Sequence, residues 1–209
     1  MKSTIRRKVV VLSGGVGAAK LLNGLVKVID PSEITAIVNV ADDTDLHGLH
    51  ISPDLDTVTY TLAGEIDPQR GWGLVDESWN AMDMISRYGG VDWFQLGDKD
   101  LGTHMYRTHR LLQGASLTAV TEEIARSLKV RVNILPVSDD PVKTFVTTSD
   151  LGEMEFQEYF VRHKHNLKVT EVHFKGIKNA TPGPNVIDEI KSASAIIIAP
   201  SNPIVSISP

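Results

Sequence analysis

Val9-Val10-Val11-Leu12-Ser13-Gly14-Gly15-Val16-Gly17-Ala18-Ala19-Lys20-Leu21-Leu22 is the stretch that decides the fold. Val9 to Leu12 is a continuous, largely β-branched apolar run, the pattern of a strand buried on both faces. Ser13-Gly14-Gly15-Val16-Gly17 breaks that run. From Ala18 the apolar residues fall at Ala18, Leu21, Leu22, Leu25 and Val28-Ile29, close to helical period, and Asp30-Pro31 stops the helix. Ile34 to Val40 is a second buried run, which closes a short βαβ unit. Strands joined this way are parallel and lie in a sheet covered by helices.

Working outward, the loop after the second strand is acidic: Asp42-Asp43-Thr44-Asp45, then His47-Gly48-Leu49-His50 and Ser52-Pro53-Asp54-Leu55-Asp56. Thr57 to about Ser127 reads as short helices and loops, with Trp72, Trp79 and Trp93 inside it. Arg131 to Leu135 reads as a strand. Thr144 to Thr148 and Glu155 to Arg162 read as strands of an antiparallel piece, and His163-Lys164-His165 as a polar turn. Asn185 to Ser194 predicts a short helix and Ala195 to Ala199 a late buried strand. The organisation expected is therefore a first half of the core over 1–56, a helical insertion over 57–128 and the remainder of the core over 129–209. Three polar loops, Ser13 to Gly17, Ala41 to Asp45 and Pro200 to Ser206, each follow a buried β run. In an open parallel sheet such loops share one edge, and ligands bind in the crevice there.

The 209 residues suit one α/β domain or one domain with an insertion. Composition is that of an ordinary globular chain, 42% hydrophobic and 22% charged. A net charge of −5 argues against a broad nucleic-acid or anionic-membrane binder. The chain has no cysteine, which excludes disulfides, thiolate metal sites and cysteine nucleophiles, and fits a cytoplasmic home. Its longest apolar runs are far below the ~20 residues that span a bilayer. The basic start, Met1 to Lys8, precedes only four apolar residues, which is no signal peptide.

Ser13-Gly14-Gly15-Val16-Gly17 suits an anion: glycines admit φ > 0 and close backbone approach, and a helix N-terminus follows. A tight strand-to-helix turn would have the same pattern. Lys20 follows Ala19 and precedes Leu21, so a P-loop is excluded; it also occupies the third glycine place of a dinucleotide fingerprint, which demotes NAD. Between Asp42 and Asp56, clustered carboxylates suit Mg²⁺, with Asp42 and Asp56 the preferred pair and Asp43 and Asp54 in reserve. One of these groups could instead accept a proton from an attacking hydroxyl, and a solvated acidic loop is the plainer reading. His104, Arg107 and, less squarely, Arg110 share a helical face and would form a local basic patch. Ser138-Asp139-Asp140 either lines the crevice or caps a turn. No Gly-x-Ser-x-Gly elbow occurs, so acyl-enzyme chemistry has no support.

Several ordered blocks resemble the 2-phospho-L-lactate transferase family. They are Val11 to Leu21, Val38-Asn39-Val40-Ala41-Asp42-Asp43, Ile51-Ser52-Pro53-Asp54-Leu55-Asp56-Thr57, Gly71-Trp72-Gly73, Leu96-Gly97-Asp98-Lys99-Asp100-Leu101-Gly102-Thr103-His104 and Pro200-Ser201-Asn202-Pro203. The resemblance implies an α/β fold, a Rossmann-like, mostly parallel sheet core with an inserted, largely helical region. It implies a Mg²⁺-dependent transfer of phospholactate, or its phosphoenolpyruvate counterpart, from a guanosine diphosphate conjugate. The acceptor would be the ribityl hydroxyl of 7,8-didemethyl-8-hydroxy-5-deazariboflavin, and GMP would leave. Oligomeric state stays open, a homodimer included.

Carried onto this chain, the resemblance implies that Gly14, Gly15 and Gly17 cradle phosphates, with Lys20 nearby. It implies Asp42 and Asp56 as catalytic and metal-side carboxylates, with Asp56 and Gln95 also at deazaflavin-contact positions. Asp98, His104 and Asn202 fall among the substrate contacts. The family usually continues Ser-Ile-Gly-Pro where this chain has Ser206-Ile207-Ser208-Pro209, and its members run longer, so the family's C-terminal part is absent from this chain, which is either a piece of a longer protein or a short relative. The glycine-loop core also resembles a nucleotide-sugar-binding regulatory family of the YvcK type, which is the alternative from a different functional class.

Overall fold

The computed structural model describes residues 8–209; Met1 to Arg7, most of the basic start, lie outside the described residues. A four-stranded, fully parallel sheet forms the centre, from β1 (Val9–Ser13), β2 (Ile34–Val38), β5 (Asn133–Pro136) and β9 (Ala195–Ile198) in the order β5-β2-β1-β9. β1 pairs Val11 with Ala36 on one side and with Ile197 on the other. Alternation along β1 sends Val9 and Val11 to one face and Val10 to the other, so the apolar run Val9 to Leu12 feeds two clusters. The larger cluster lies under α1 (Val16–Leu25), α2 (Pro53–Ala63) and α5 (Leu117–Ser127), which contribute Leu22, Leu55, Val58 and Leu117. The smaller one, Val10, Ile37, Leu135 and Val186, is closed by α6 (Val186–Ser192). Helix boundaries follow local chemistry. Pro53 opens α2, Gly64 ends it in the left-handed conformation with φ 74°, and the Ser116 hydroxyl caps α5 by accepting from Ala119.

Between these core elements lie a short hairpin, β3 (Thr44–Leu46) with β4 (Leu49–Ile51), and the helices α3 (Asn80–Arg87) and α4 (Asp98–Leu112). The hairpin falls in the stretch read from the sequence as an acidic loop. His47 and Gly48, at φ 54° and 74°, make the two-residue turn with both central residues left-handed that joins antiparallel strands. A second, antiparallel sheet, β7-β6-β8, comprises β6 (Lys143–Thr148), β7 (Gly152–Glu155) and β8 (Val169–Lys175). The strand expected over Glu155 to Arg162 is corrected: β7 ends at Glu155 and Glu158–Arg162 is a wide helical turn closed by His163 N–H to the Glu158 carbonyl, 3.1 Å. Phe156 stacks on Phe160, an i,i+4 pairing that belongs to a helix and not to a strand. A further correction concerns β9. It forms as expected, but it is an edge strand with Ile196 50% and Ile198 65% exposed, not a buried one.

This antiparallel piece is stitched to the acidic loop. Thr144 N–H donates to the Ala41 carbonyl at 2.6 Å, the Gln157 side-chain amide to the Asp42 carbonyl at 3.0 Å, and the Thr44 hydroxyl to Glu155 at 3.1 Å. It thereby becomes a wall facing the C-terminal edge of the parallel sheet.

Candidate active site

The loops after β1, β2 and β9 converge on one cavity of about 630 Å³. β1 lies between β2 and β9, so the strand order reverses there, the place where open α/β sheets take ligands. The glycines are explained by close approach, which corrects the appeal to φ > 0: none of Gly14, Gly15 and Gly17 has a positive φ. A Cβ on Gly17 would sit 2.0 Å from the Pro200 carbonyl oxygen, one on Gly15 2.4 Å from Asp54 Oδ1, and one on Gly14 2.5 Å from Ser206 Cβ. Three bare backbones thus let three neighbouring segments press together. Gly14 lies outside the cavity lining and its N–H already donates to the Ser201 hydroxyl at 3.1 Å. At Gly15 no side chain caps α1, no acidic residue sits in the first turn, and Gly15, Val16 and Gly17 line the cavity. The first-turn amides of that helix are therefore free of side-chain caps beside it.

Asp42 and Asp54 line the same cavity, Asp54 directly against Gly15. Asp42 is buried, and among the described residues its Oδ1 has no hydrogen-bond partner. Burial first, and then the charge of Asp54, push the Asp42 carboxyl well above the usual carboxylate range. Asp54 is raised to about 7 by burial and by the charge of Asp43, against the hydrogen bond it accepts from Asn39. Asn39 is a complete knot: its Oδ1 accepts from Ala41 N–H, and its Nδ2 donates to Asp54 and to the Val205 carbonyl. Asp43 faces away from the cavity, accepting from Ser52 at 2.8 Å and pairing with His50 at 3.1 Å.

Asp56 has a different environment from Asp42. Both of its oxygens accept from the guanidinium of Arg107, which is 2% exposed. Burial would lower the Arg107 pKa, but Asp56 more than restores it. Arg107 Nη1 also lies 3.2 Å from His104 Nδ1, and His104 Nε2 lies 3.4 Å from Asp100 Oδ2. The Tyr60 hydroxyl donates to Asp100 Oδ1 at 2.7 Å. The basic face expected from His104, Arg107 and Arg110 is corrected accordingly: the first two point into this buried network, and Arg110 pairs with Glu123. Asp56, Asp100 and His104 offer ligand atoms within 4.8 Å of one another, yet the guanidinium on Asp56 already stands where a cation would.

Gln95, His104 and Asn202 line the cavity. Asn202 also caps the turn Pro203–Ile207 through Ile204 and Val205 N–H. Two expected contacts lie elsewhere. Lys20 is exposed and outside the cavity lining. Asp98 is likewise outside it and ties α4 to α3 by accepting from Ser78, Asn80 and Ala81; the Ser78 hydroxyl above all holds it at about 2. Asp139 and Asp140 are spent on Thr118 and Thr181, and the Ser138 hydroxyl on the Thr181 carbonyl, the turn-capping reading. Sequence reasoning passed over Tyr60, Asp100, Phe156 and Phe160, all at the cavity wall. The helical spacing Asp56–Tyr60 and Asp100–His104–Arg107 was the signal available for the polar ones.

Residues 9–209 match the model of the family described as 2-phospho-L-lactate transferase CofD. The chain belongs to the CofD family. It is 46% identical to a phosphoenolpyruvate transferase of Nocardia farcinica and 42% identical to one of Mycolicibacterium smegmatis, with 96% and 97% of the chain covered. It spans 62% and 66% of those relatives' own lengths, under two thirds in both cases. A crystal structure of a UPF0052-family protein from Bacillus halodurans shares the fold: TM-score 0.63 at 22% identity, over 96% of this chain and 61% of that one. Among the described residues of this CofD-family chain, no helix is long and apolar enough to cross a membrane.

Proposed function

We propose that this chain carries the reaction centre of a phosphotransferase that moves a phospholactate or phosphoenolpyruvate group from its guanosine diphosphate conjugate to the ribityl hydroxyl of the 8-hydroxy-5-deazaflavin. The observation that carries this is that uncapped α1 amides and the carboxylates of Asp42 and Asp54, both with raised pKa, line one cavity. Amides recognise the anion. Two carboxylates raised by burial and by the charge of neighbouring carboxylates call for a cation, and the Asp42 Oδ1, without a partner among the described residues, is an oxygen ligand of the kind Mg²⁺ takes. Asp42 and Asp54 are the residues that would hold it. Asp54 replaces Asp56 in that role, because Arg107 already neutralises Asp56. Mg²⁺ bound there would neutralise charge on the diphosphate.

The protein's own contribution is then positioning and electrostatics, as expected for phosphoryl transfer. Gly15 to Gly17 orient the diphosphate, Asn39 fixes the Asp54 carboxylate, and Trp72, Trp93, Phe156 and Phe160 supply an apolar wall for flat rings. No residue is needed as a covalent nucleophile. The test is to incubate the purified protein with Mg²⁺, the guanosine diphosphate conjugate and the deazaflavin, and to separate the products by chromatography. GMP and a phospho-acyl deazaflavin in equal amounts support the reading; a protein that binds the nucleotide but neither binds nor modifies the deazaflavin supports the YvcK-type alternative.

A further inference from the structure

Resting on that reading, the geometry points to Asp100 and His104 as a matched acceptor–donor pair that grips the hydroxyl of the acceptor. Both side chains line the cavity, and both are buried, His104 to 1% exposure. Arg107 decides the state of the imidazole. A guanidinium nitrogen only donates, and Arg107 Nη1 sits 3.2 Å from His104 Nδ1, so Nδ1 must be the acceptor. Nη1 shares its hydrogens with Asp56 Oδ2 at 3.1 Å and the His50 carbonyl at 3.4 Å, but none of these neighbours gives Nδ1 anything to donate to within hydrogen-bond distance: Asp56 Oδ2 is 3.7 Å away. The hydrogen of the neutral ring therefore resides on Nε2.

Among the described residues, that Nε2–H has no hydrogen-bond partner of its own. Asp100 Oδ2 lies 3.4 Å from it, while Asp100 Oδ1 is engaged by Tyr60. A carboxylate acceptor and an imidazole donor 3.4 Å apart, on two side chains that line the cavity, suit a group that both gives and takes a hydrogen bond. An alcohol hydroxyl does both; a phosphate oxygen would be repelled by Asp100. The Tyr60 hydroxyl donates to Asp100 Oδ1 and the charge of Arg107 favours the ionised form, so Asp100 is ready to accept. In the transfer, the hydroxyl proton passes to Asp100 and the hydroxyl oxygen bonds phosphorus. The bridging phosphorus–oxygen bond breaks, and its electron pair leaves on GMP. His104 positions the hydroxyl and is not the base.

The experiment measures deazaflavin binding by fluorescence, comparing the intact acceptor with its analogue lacking the terminal ribityl hydroxyl. Wild type, Asp100→Asn and His104→Phe are compared, each with its thermal melt recorded. The hydroxyl should strengthen wild-type binding about tenfold, as one hydrogen-bonded group commonly does, and that preference should fall below about twofold in both variants. An undiminished preference in both variants overturns the pairing. Nitrogen-15 NMR of wild-type imidazoles needs no variant: His104 as the neutral Nε2–H form supports the pairing, and His104 protonated on Nδ1 overturns it. Failure of the intact acceptor to bind at all would instead overturn the transferase reading, and this inference with it.

Discussion

Gly17→Ala is the substitution whose cost the structure sets most tightly. An added Cβ would lie 2.0 Å from the Pro200 carbonyl oxygen and 3.0 Å from its carbon. Both are backbone atoms in the loop after β9, so no side chain can swing aside, and either α1 or that loop must move. Overpacking of this kind costs about 1–3 kcal/mol. For a domain of this size about 2–4 °C of melting temperature is lost per kcal/mol, so the midpoint should drop by about 2–12 °C. The same helix holds its own control. Gly24 has open space where its Cβ would go, and Gly24→Ala should stabilise by about 0.5–1 kcal/mol through helix propensity. The assay is a thermal melt followed by circular dichroism, with GDP binding measured on the same samples. Gly17→Ala should also weaken GDP, whereas Gly24→Ala should not. A Gly17→Ala protein that melts with wild type would refute the claim that close packing, not turn conformation, requires this glycine.

Arg107→Met leaves Asp56 buried and uncompensated, which should cost about 3–5 kcal/mol by urea unfolding; the double variant Asp56→Leu with Arg107→Met should recover most of that loss, and no recovery would contradict the pairing as the cause. Asn39→Ala frees the Asp54 carboxylate and should weaken Mg²⁺ binding; it also strands the Ala41 N–H and the Val205 carbonyl, so the melting temperature should fall by several degrees, and unaltered Mg²⁺ affinity in the folded variant would remove Asn39 from its positioning role. Asp98 titrates at about 2 in the fold, below its ordinary 3.8, so its contribution is fully present above that ordinary value and is lost as pH falls toward 2. Asp98→Asn should therefore flatten the pH dependence of the melting temperature across that window; an identical acid slope would show that the α3–α4 tie contributes nothing.

The βαβ opening was readable in the sequence because a strand buried on both faces leaves an unbroken apolar run and the glycine break marks its end. The hairpin at Thr44–Ile51 was not, since three-residue strands are too short for a period and His47-Gly48 replaces the usual Asn-Gly turn. β9 was readable as a strand, but not its exposure, because an apolar run is the same whether or not something covers it. Convergence of three loops on one edge followed from topology alone. Choosing between Asp54 and Asp56 did not: the residues that decide it, Asn39 and Arg107, lie 15 and 51 positions away in the chain. A carboxylate's role depends on its neighbours in space, and two aspartates two residues apart differ here because only one meets a guanidinium.

Calorimetric titration of GDP into the protein, with and without Mg²⁺, tests most directly whether helix amides and a cation held by Asp42 and Asp54 clasp one diphosphate. Mg²⁺ should tighten GDP at least tenfold, about 1.4 kcal/mol, and Asp54→Asn should remove that gain while leaving Mg²⁺-free binding intact. GDP affinity that is the same with and without Mg²⁺, or a gain that survives Asp54→Asn, would contradict it.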